Sequence, residues 1–178
     1  MQLVDFVIAF TFMLIVVIVV TSVYWAVSGV PYVPTSRSIA RAMIDLARLR
    51  GTERVFDLGA GDGRILIEAK RAHPGITATG YELAPTVYLL GKLMILLSRQ
   101  TVAFHRRDAR TVDLRDAEAL FLYLTPGVLA QLEDKFDREL KPGTVVISHA
   151  FRFPRRQPVE VVKLPRWSGK KTILRYEW

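Results

Sequence analysis

The run Phe6–Ser28, FVIAFTFMLIVVIVVTSVYWAVS, carries no charged side chain over 23 residues, and it limits what the chain can fold into more than any other feature. As a helix it would be about 34 Å long, enough to cross a hydrocarbon core of roughly 30 Å. A cleaved signal peptide needs a basic N-terminal region and a shorter apolar core, whereas Asp5 is the one charged residue before the run. Residues 1–29 therefore read as a retained transmembrane anchor. Tyr24 and Trp25 stand toward its C-terminal end, where amphipathic rings favour the bilayer interface, and Arg37, Arg41, Arg48 and Arg50 follow. By the positive-inside rule, a single-pass protein is expected with its N-terminus outside and the rest of the chain on the cytoplasmic side. Residues 30–36 contain Pro31 and Pro34, which hold φ fixed, and read as a short stiff linker close to the membrane.

What remains, residues 37–178, suffices for one globular domain and not for a second. It holds all 25 Lys and Arg residues and all but one of the 17 Asp and Glu residues, so it is clearly basic. From Phe151 onward there are eight basic residues against two acidic ones, which suits anionic lipid, nucleic acid or an acidic protein face. Cysteine is absent, which excludes disulfides, thiolate metal sites and cysteine nucleophiles. His73, His105 and His149 lack metal-ligand spacing, and no metal is expected.

Within this domain short strand-like runs alternate with longer helix-like ones. Ser36 or Thr35 can cap a helix running to about Arg50 and stopped by Gly51, with Ile39, Met43, Ile44 and Ala47 on a face that is either core or a lid. Then follow Arg54–Leu58 and Arg64–Ala72, Ile76–Glu82 and Pro85–Ser98, Val102–His105, Ala119–Leu124 and a helix from Pro126 to near Leu140, and Thr144–Ser148. This is the pattern of βαβ units and predicts five parallel strands. Glu160–Leu164 and Thr172–Trp178, separated by Ser168-Gly169-Lys170-Lys171, read as an antiparallel hairpin closing one edge. The fold class is α/β, a Rossmann-like sheet preceded by one transmembrane helix.

The chemistry concentrates where the strands end. Asp57-Leu58-Gly59-Ala60-Gly61-Asp62-Gly63 lies between a strand and a helix, so its glycines stand where backbone must turn sharply and approach a ligand closely. Dinucleotide enzymes use G-x-G-x-x-G with the pyrophosphate at a helix N-terminus, but this run is G-x-G-x-G and opens with an acid. A carboxylate at Asp57 would repel a pyrophosphate, whereas it favours the ammonium group of S-adenosylmethionine, which carries no phosphate. Glu82, about 20 residues beyond the loop, is placed to accept both ribose hydroxyls. Leu83 would pack on the adenine, Asp108 would meet its amino group, and Ala109 is small enough to let the ring approach. The expected cofactor set is thus Asp57, Gly59, Ala60, Gly61, Gly63, Glu82, Leu83, Asp108 and Ala109.

Residues 53–148 resemble the seven-strand, Rossmann-like class of S-adenosylmethionine-dependent methyltransferases, whose first motif is matched by VFDLGAGDGR. The anchor, the P-Y-V-P segment, D-L-G-A-G-D-G-R, G-Y-E-L and the L-T-P turn, in that order, resemble a narrower family. It comprises the mitochondrial lysine methyltransferases acting on the ATP synthase c subunit and the adenine nucleotide translocase, with prokaryotic relatives. That resemblance implies lysine methylation on a membrane-protein partner.

The acceptor slot is expected after the fourth strand, at Tyr123-Leu124-Thr125-Pro126. Many relatives place an acidic or amide residue there before a Pro-Pro-aromatic turn, and this chain does not. The departure argues against amino-directed nucleic-acid enzymes and leaves Tyr123 and Thr125 as the candidates to orient the acceptor. A strand-end core tyrosine and a helix-capping threonine are the alternatives. After the fifth strand, Ser148-His149-Ala150-Phe151 can wall the same cleft, with Phe151 packing on an alkyl chain, and Tyr32 can reach it if the linker folds back. A lipid or quinone methyltransferase and an RNA methyltransferase remain as other readings, with nucleic acid not the expected partner.

Overall fold

The computed structural model describes residues 2–28, 32–164 and 172–178, and in it the uncharged run belongs to one continuous helix, α1 (Gln2–Ser28). Over Leu3–Val20 apolar side chains occupy its whole circumference, so no face there is set aside for a protein core. The stretch Leu3–Val20 has a mean hydropathy of 3.0 and none of it is buried. Among the described residues it is the one helix long and apolar enough to cross a membrane. The chain divides into two compact units, Met1–Tyr32 and Val33–Trp178. The linker residues Gly29, Val30 and Pro31, the side chains of Tyr24 and Trp25, and the turn Ser168–Lys171 lie outside the described residues.

In the second unit, α2 (Arg37–Ala47) is capped by Ser36, whose Oγ accepts the Ile39 N–H at 3.3 Å. It ends at Arg48, in the left-handed region at φ 53, earlier than the expected stop at Gly51. The cause is Glu53, whose carboxylate takes the N–H groups of Arg50, Gly51 and Thr52 at 2.5, 2.8 and 3.0 Å and organises the turn into the first strand. Ile39, Met43, Ile44 and Ala47 are buried in one cluster with Ile65, Leu66, Phe121 and Ile147. This helix is therefore core and not a lid. Complete burial of Met43 and Ile44 contributes about 1.5–3 kcal/mol each relative to exposure.

The elements that follow are β1 (Arg54–Leu58), α3 (Arg64–Ala72), β2 (Thr77–Tyr81), α4 (Pro85–Ser98), β3 (Ala103–His105), β4 (Ala119–Leu122), α5 (Pro126–Glu139), β5 (Val145–His149), β6 (Glu160–Lys163) and β7 (Thr172–Glu177). They form one seven-stranded sheet in the order β3-β2-β1-β4-β5-β7-β6. Strands β1 to β5 pair in parallel, and the hairpin β6/β7 joins antiparallel through β7 on β5. This is the α/β architecture expected from the alternation, including the closing hairpin. All four residues of β4 are buried, as a central strand covered on both faces requires. From β1 the chain steps outward through β2 to β3, then returns to the other side of β1 with β4. The C-terminal ends of β1 and β4 therefore flank a topological switch point, where open α/β sheets have their ligand crevice.

Candidate functional site

Beyond β1 the chain turns through Gly59, Gly61 and Gly63 at φ 79, 60 and 76, a region in which any side chain is strained. The N–H groups of Gly59 and Ala60 donate to the Tyr81 carbonyl at 2.9 and 3.0 Å, fastening this loop to the end of β2. Helix α4 leans on the loop at Gly91, where an added Cβ would lie 2.9 Å from the Gly61 carbonyl oxygen and 2.6 Å from Phe104 Cε1. Gly91 was not among the sequence candidates. Its signal was a single glycine inside an apolar helical run, which points to close approach of backbone.

Glu82 is bonded directly to the loop: Oε2 accepts the Gly61 N–H at 2.9 Å, and Oε1 accepts the Ala84 N–H at 2.8 Å. Each carboxylate oxygen retains a lone pair for a further donor. Asp57 is 1% exposed, and among the described residues its Oδ2 has no hydrogen-bond partner. Burial pushes the Asp57 carboxyl well above the usual aspartate range, and the neighbouring charges of Glu82 and Asp62 push it further. Burial also raises Glu82, against the opposing pull of its backbone N–H partners. Asp62 is compensated by Arg64, whose Nε reaches both of its oxygens at 2.9 Å and whose Nη1 donates to the Thr35 carbonyl. Among the described residues no cation pairs with the carboxyls that the loop presents, those of Asp57 and Glu82. An isolated buried carboxylate costs several kcal/mol, so this pair calls for a cationic ligand with hydrogen-bond donors and disfavours a phosphate.

Leu83, 36% exposed, follows Glu82 at the rim. Asp108 lies beyond β3 and is engaged with Arg110 rather than with the loop. Its Oδ1 accepts the backbone and Nε of Arg110, both at 2.9 Å, and its Oδ2 accepts Nε and Nη2 at 3.0 and 2.6 Å. The Arg110 side chain holds this carboxyl below the usual range. Ala109 opens the short 3₁₀ turn that Asp108 caps. The structure therefore joins Asp57, Gly59, Ala60, Gly61, Gly63 and Glu82 in one loop assembly and gives Asp108 a local partner that sequence reasoning did not foresee.

On the other side of the switch point aromatic rings gather. Tyr123, just past β4, meets His149 at 4.3 Å and Phe151 at 6.4 Å between ring centroids. Burial raises the Tyr123 phenol, which keeps its proton. Thr125 occupies the N-cap position of α5, yet its side chain makes no capping bond. Between His149 and Phe151 the backbone forms a tight turn, with the Phe151 N–H on the His149 carbonyl at 2.9 Å and Ala150 at φ 70. A non-glycine residue there is strained by about 1–3 kcal/mol, which positions rather than stabilises. The Ser148 hydroxyl secures the turn by donating to the Phe151 carbonyl at 2.7 Å. Among the described residues no group of three or more His, Asp or Glu side chains could hold a metal ion.

Residues 57–160 match the ANTKMT methyltransferase domain. A protein-lysine N-methyltransferase of Saccharolobus islandicus is 31% identical over 154 residues, covering 84% of this chain and 94% of that protein. The adenine nucleotide translocase lysine N-methyltransferase of Mus musculus is 40% identical over 136 residues, and the match covers 75% of this chain but 58% of the mouse protein. The crystal structure of an RNA methyltransferase from Salinibacter ruber in complex with S-adenosyl-L-homocysteine superposes with a TM-score of 0.75 at 33% identity, covering 82% of this chain and 93% of that one.

Proposed function

This chain belongs to the ANTKMT methyltransferase-domain family, and on that premise we propose that it is a protein-lysine N-methyltransferase using S-adenosylmethionine, anchored by α1 and acting on a membrane protein. The observation that carries the reading is the uncompensated pair Asp57 and Glu82 beneath the glycine loop. It fits a ligand with an ammonium group and ribose hydroxyls, and the buried, unpartnered Oδ2 of Asp57 is the atom such an ammonium would satisfy, directly or through water. When bound, S-adenosylmethionine supplies a methyl group on a sulfonium, open to in-line displacement by an amine.

Each residue then has a defined task. Glu82 accepts the ribose hydroxyls while holding Gly61 in place. Gly59, Ala60, Gly61 and Gly63 keep side chains out of the methionine end, and Leu83 and Ala109 flank the adenine. Asp108, with both oxygens engaged by Arg110, has little capacity left for the adenine amino group. On the acceptor side, Tyr123 and Phe151, packed around the buried His149, offer ring faces to the alkyl stem and amine of a lysine, which loses its proton more easily when desolvated. The hydroxyl of Thr125, not used in capping, can accept a hydrogen bond from that amine. Positioning of the two reactants supplies most of the acceleration. Residues 1–29 serve as the anchor, with the N-terminus outside and residues 37–178 on the cytoplasmic side, where Arg37, Arg41, Arg48 and Arg50 follow the span.

Incubation of the purified protein with its own membranes and methyl-labelled cofactor should label a protein band, lost in a Glu82→Ala variant. Label confined to the organic extract would overturn the assignment in favour of a lipid or quinone acceptor. The Salinibacter relative raises RNA as a second reading. Against it, Arg155 pairs with Glu133 and Asp134, and Arg156 pairs with Asp137 and lies 4.2 Å over the Trp178 ring, so that part of the basic C-terminal segment is neutralised by α5. Ribonuclease-sensitive product would favour RNA nonetheless.

A further inference from the structure

Helix α4 is apolar on both sides, and one side has a partner. Val87, Gly91 and Ile95 are buried, and Tyr88 stacks on Phe104 of β3 at 5.5 Å between ring centroids. On the opposite side Leu89, Leu93, Leu96 and Leu97 are each more than half exposed, and Leu90 is 41% exposed. Their spacing places them in one stripe along the helix. Single exposed leucines are ordinary, whereas a continuous stripe marks a docking face.

The surroundings of the stripe identify its occupant. No carboxylate lies in α4, whose charged residue is Lys92, and Arg99 follows its last turn on the same edge of the stripe. Lys92 and Arg99 line, with Leu93, Leu96, Gln100 and Val102, a shallow depression of about 450 Å³. Leucines bordered by cations on long flexible stems match a lipid surface, with acyl chains for the former and phosphates for the latter. The same chain carries α1, with its mean hydropathy of 3.0, so a bilayer is a surface this domain is expected to meet.

We propose that α4 lies in the headgroup region of an anionic bilayer, its leucines immersed and Lys92 and Arg99 on lipid phosphates, as a second membrane contact. The inference rests on reading α1 as a membrane anchor. Because α4 opens at Pro85, directly after Glu82-Leu83-Ala84, immersion would hold the rim of the cofactor crevice at the membrane surface. The acceptor lysine would then be one at headgroup depth.

The chain has no cysteine, so single spin labels can be introduced into the full-length protein reconstituted in vesicles of phosphatidylcholine and phosphatidylglycerol. Labels at Leu93→Cys and Leu97→Cys should collide more with oxygen than with a water-soluble nickel chelate, and a label at the exposed Lys141→Cys should show the reverse. Accessibility at both leucine sites equal to that at Lys141→Cys overturns the proposal. So does shielding from both reagents, which would mean that α1, a second copy or another protein covers the stripe. Replacing Lys92 and Arg99 by Gln should abolish the extra immersion gained on adding phosphatidylglycerol, and an unchanged gain would overturn the phosphate contact. Carbonate-resistant retention reports α1 separately, and neither measurement depends on methyl transfer, so an incorrect acceptor or anchor assignment is distinguishable from failure here.

Discussion

At the ends of β1 and β2 stand carboxyls and backbone N–H groups, whereas at the ends of β4 and β5 the rings of Tyr123 and Phe151 gather around the buried His149. Positive φ angles divide the same way. In the loop after β1 they fall on glycines, and after β5 on Ala150. The first half is unstrained and charged, suited to one small cation of fixed shape. The second is strained and apolar, suited to the stem of a side chain presented by another molecule. Substitutions in the first half should act on cofactor affinity, and those in the second on turnover.

The largest expected effect is at Glu82. If Glu82 holds the ribose as proposed, replacement by Ala removes two charge-assisted bonds worth about 1.5–3 kcal/mol each and should weaken cofactor binding by about 100-fold or more in calorimetry. An unchanged affinity would break the division between the two halves. Asp57→Asn should act in two directions, lowering cofactor affinity by about tenfold while raising the stability of the ligand-free protein by about 1–3 kcal/mol at pH above the folded pKa of Asp57, where the wild type carries an uncompensated buried charge. The pH dependence sharpens this case. With its folded pKa raised by burial, Asp57 contributes stability that is fully present below the usual aspartate range and lost as pH rises through its folded pKa. Thermal unfolding of the wild type should show that loss, and Asp57→Asn should flatten it. Cofactor affinity should rise over the same interval, since the ligand's ammonium favours the ionised carboxyl.

In the aromatic half the effects should be smaller. Tyr123→Ala forfeits two ring contacts, about 1 kcal/mol each, and should lower kcat/KM by roughly tenfold with cofactor affinity unchanged. Tyr123→Phe retains the rings and should lose activity only to the extent that the phenol orients the amine, which single-turnover rates would show. The smallest expected change is Ala150→Gly, which should relieve the left-handed strain and add about 1 kcal/mol of stability, read as a rise in Tm of a few degrees. A matching fall in turnover would show that the strained turn positions Phe151.

Much of this could be read before any coordinates. The bounds of β1, α3 and α4 coincide with those expected, because hydrophobic period, caps and prolines act within a turn or two of the chain. The glycine loop with Asp57 and Glu82 was legible for the same reason: local backbone demands at strand ends leave residue types as their trace. Tertiary structure alone decided the rest. It made α2 a core helix, set Gly91 against the Gly61 carbonyl and brought Tyr123 to His149 through the pairing of β4 with β5. The sequence of α4 showed only an apolar helix, and the cover of α3 and β3 determined which of its sides remains exposed. Those relations depend on sheet register and helix docking between residues far apart in the chain, and no local pattern records them. The uncharged run at the N-terminus, by contrast, needed no partner to declare itself, since length and hydropathy along one helix are properties of the sequence alone.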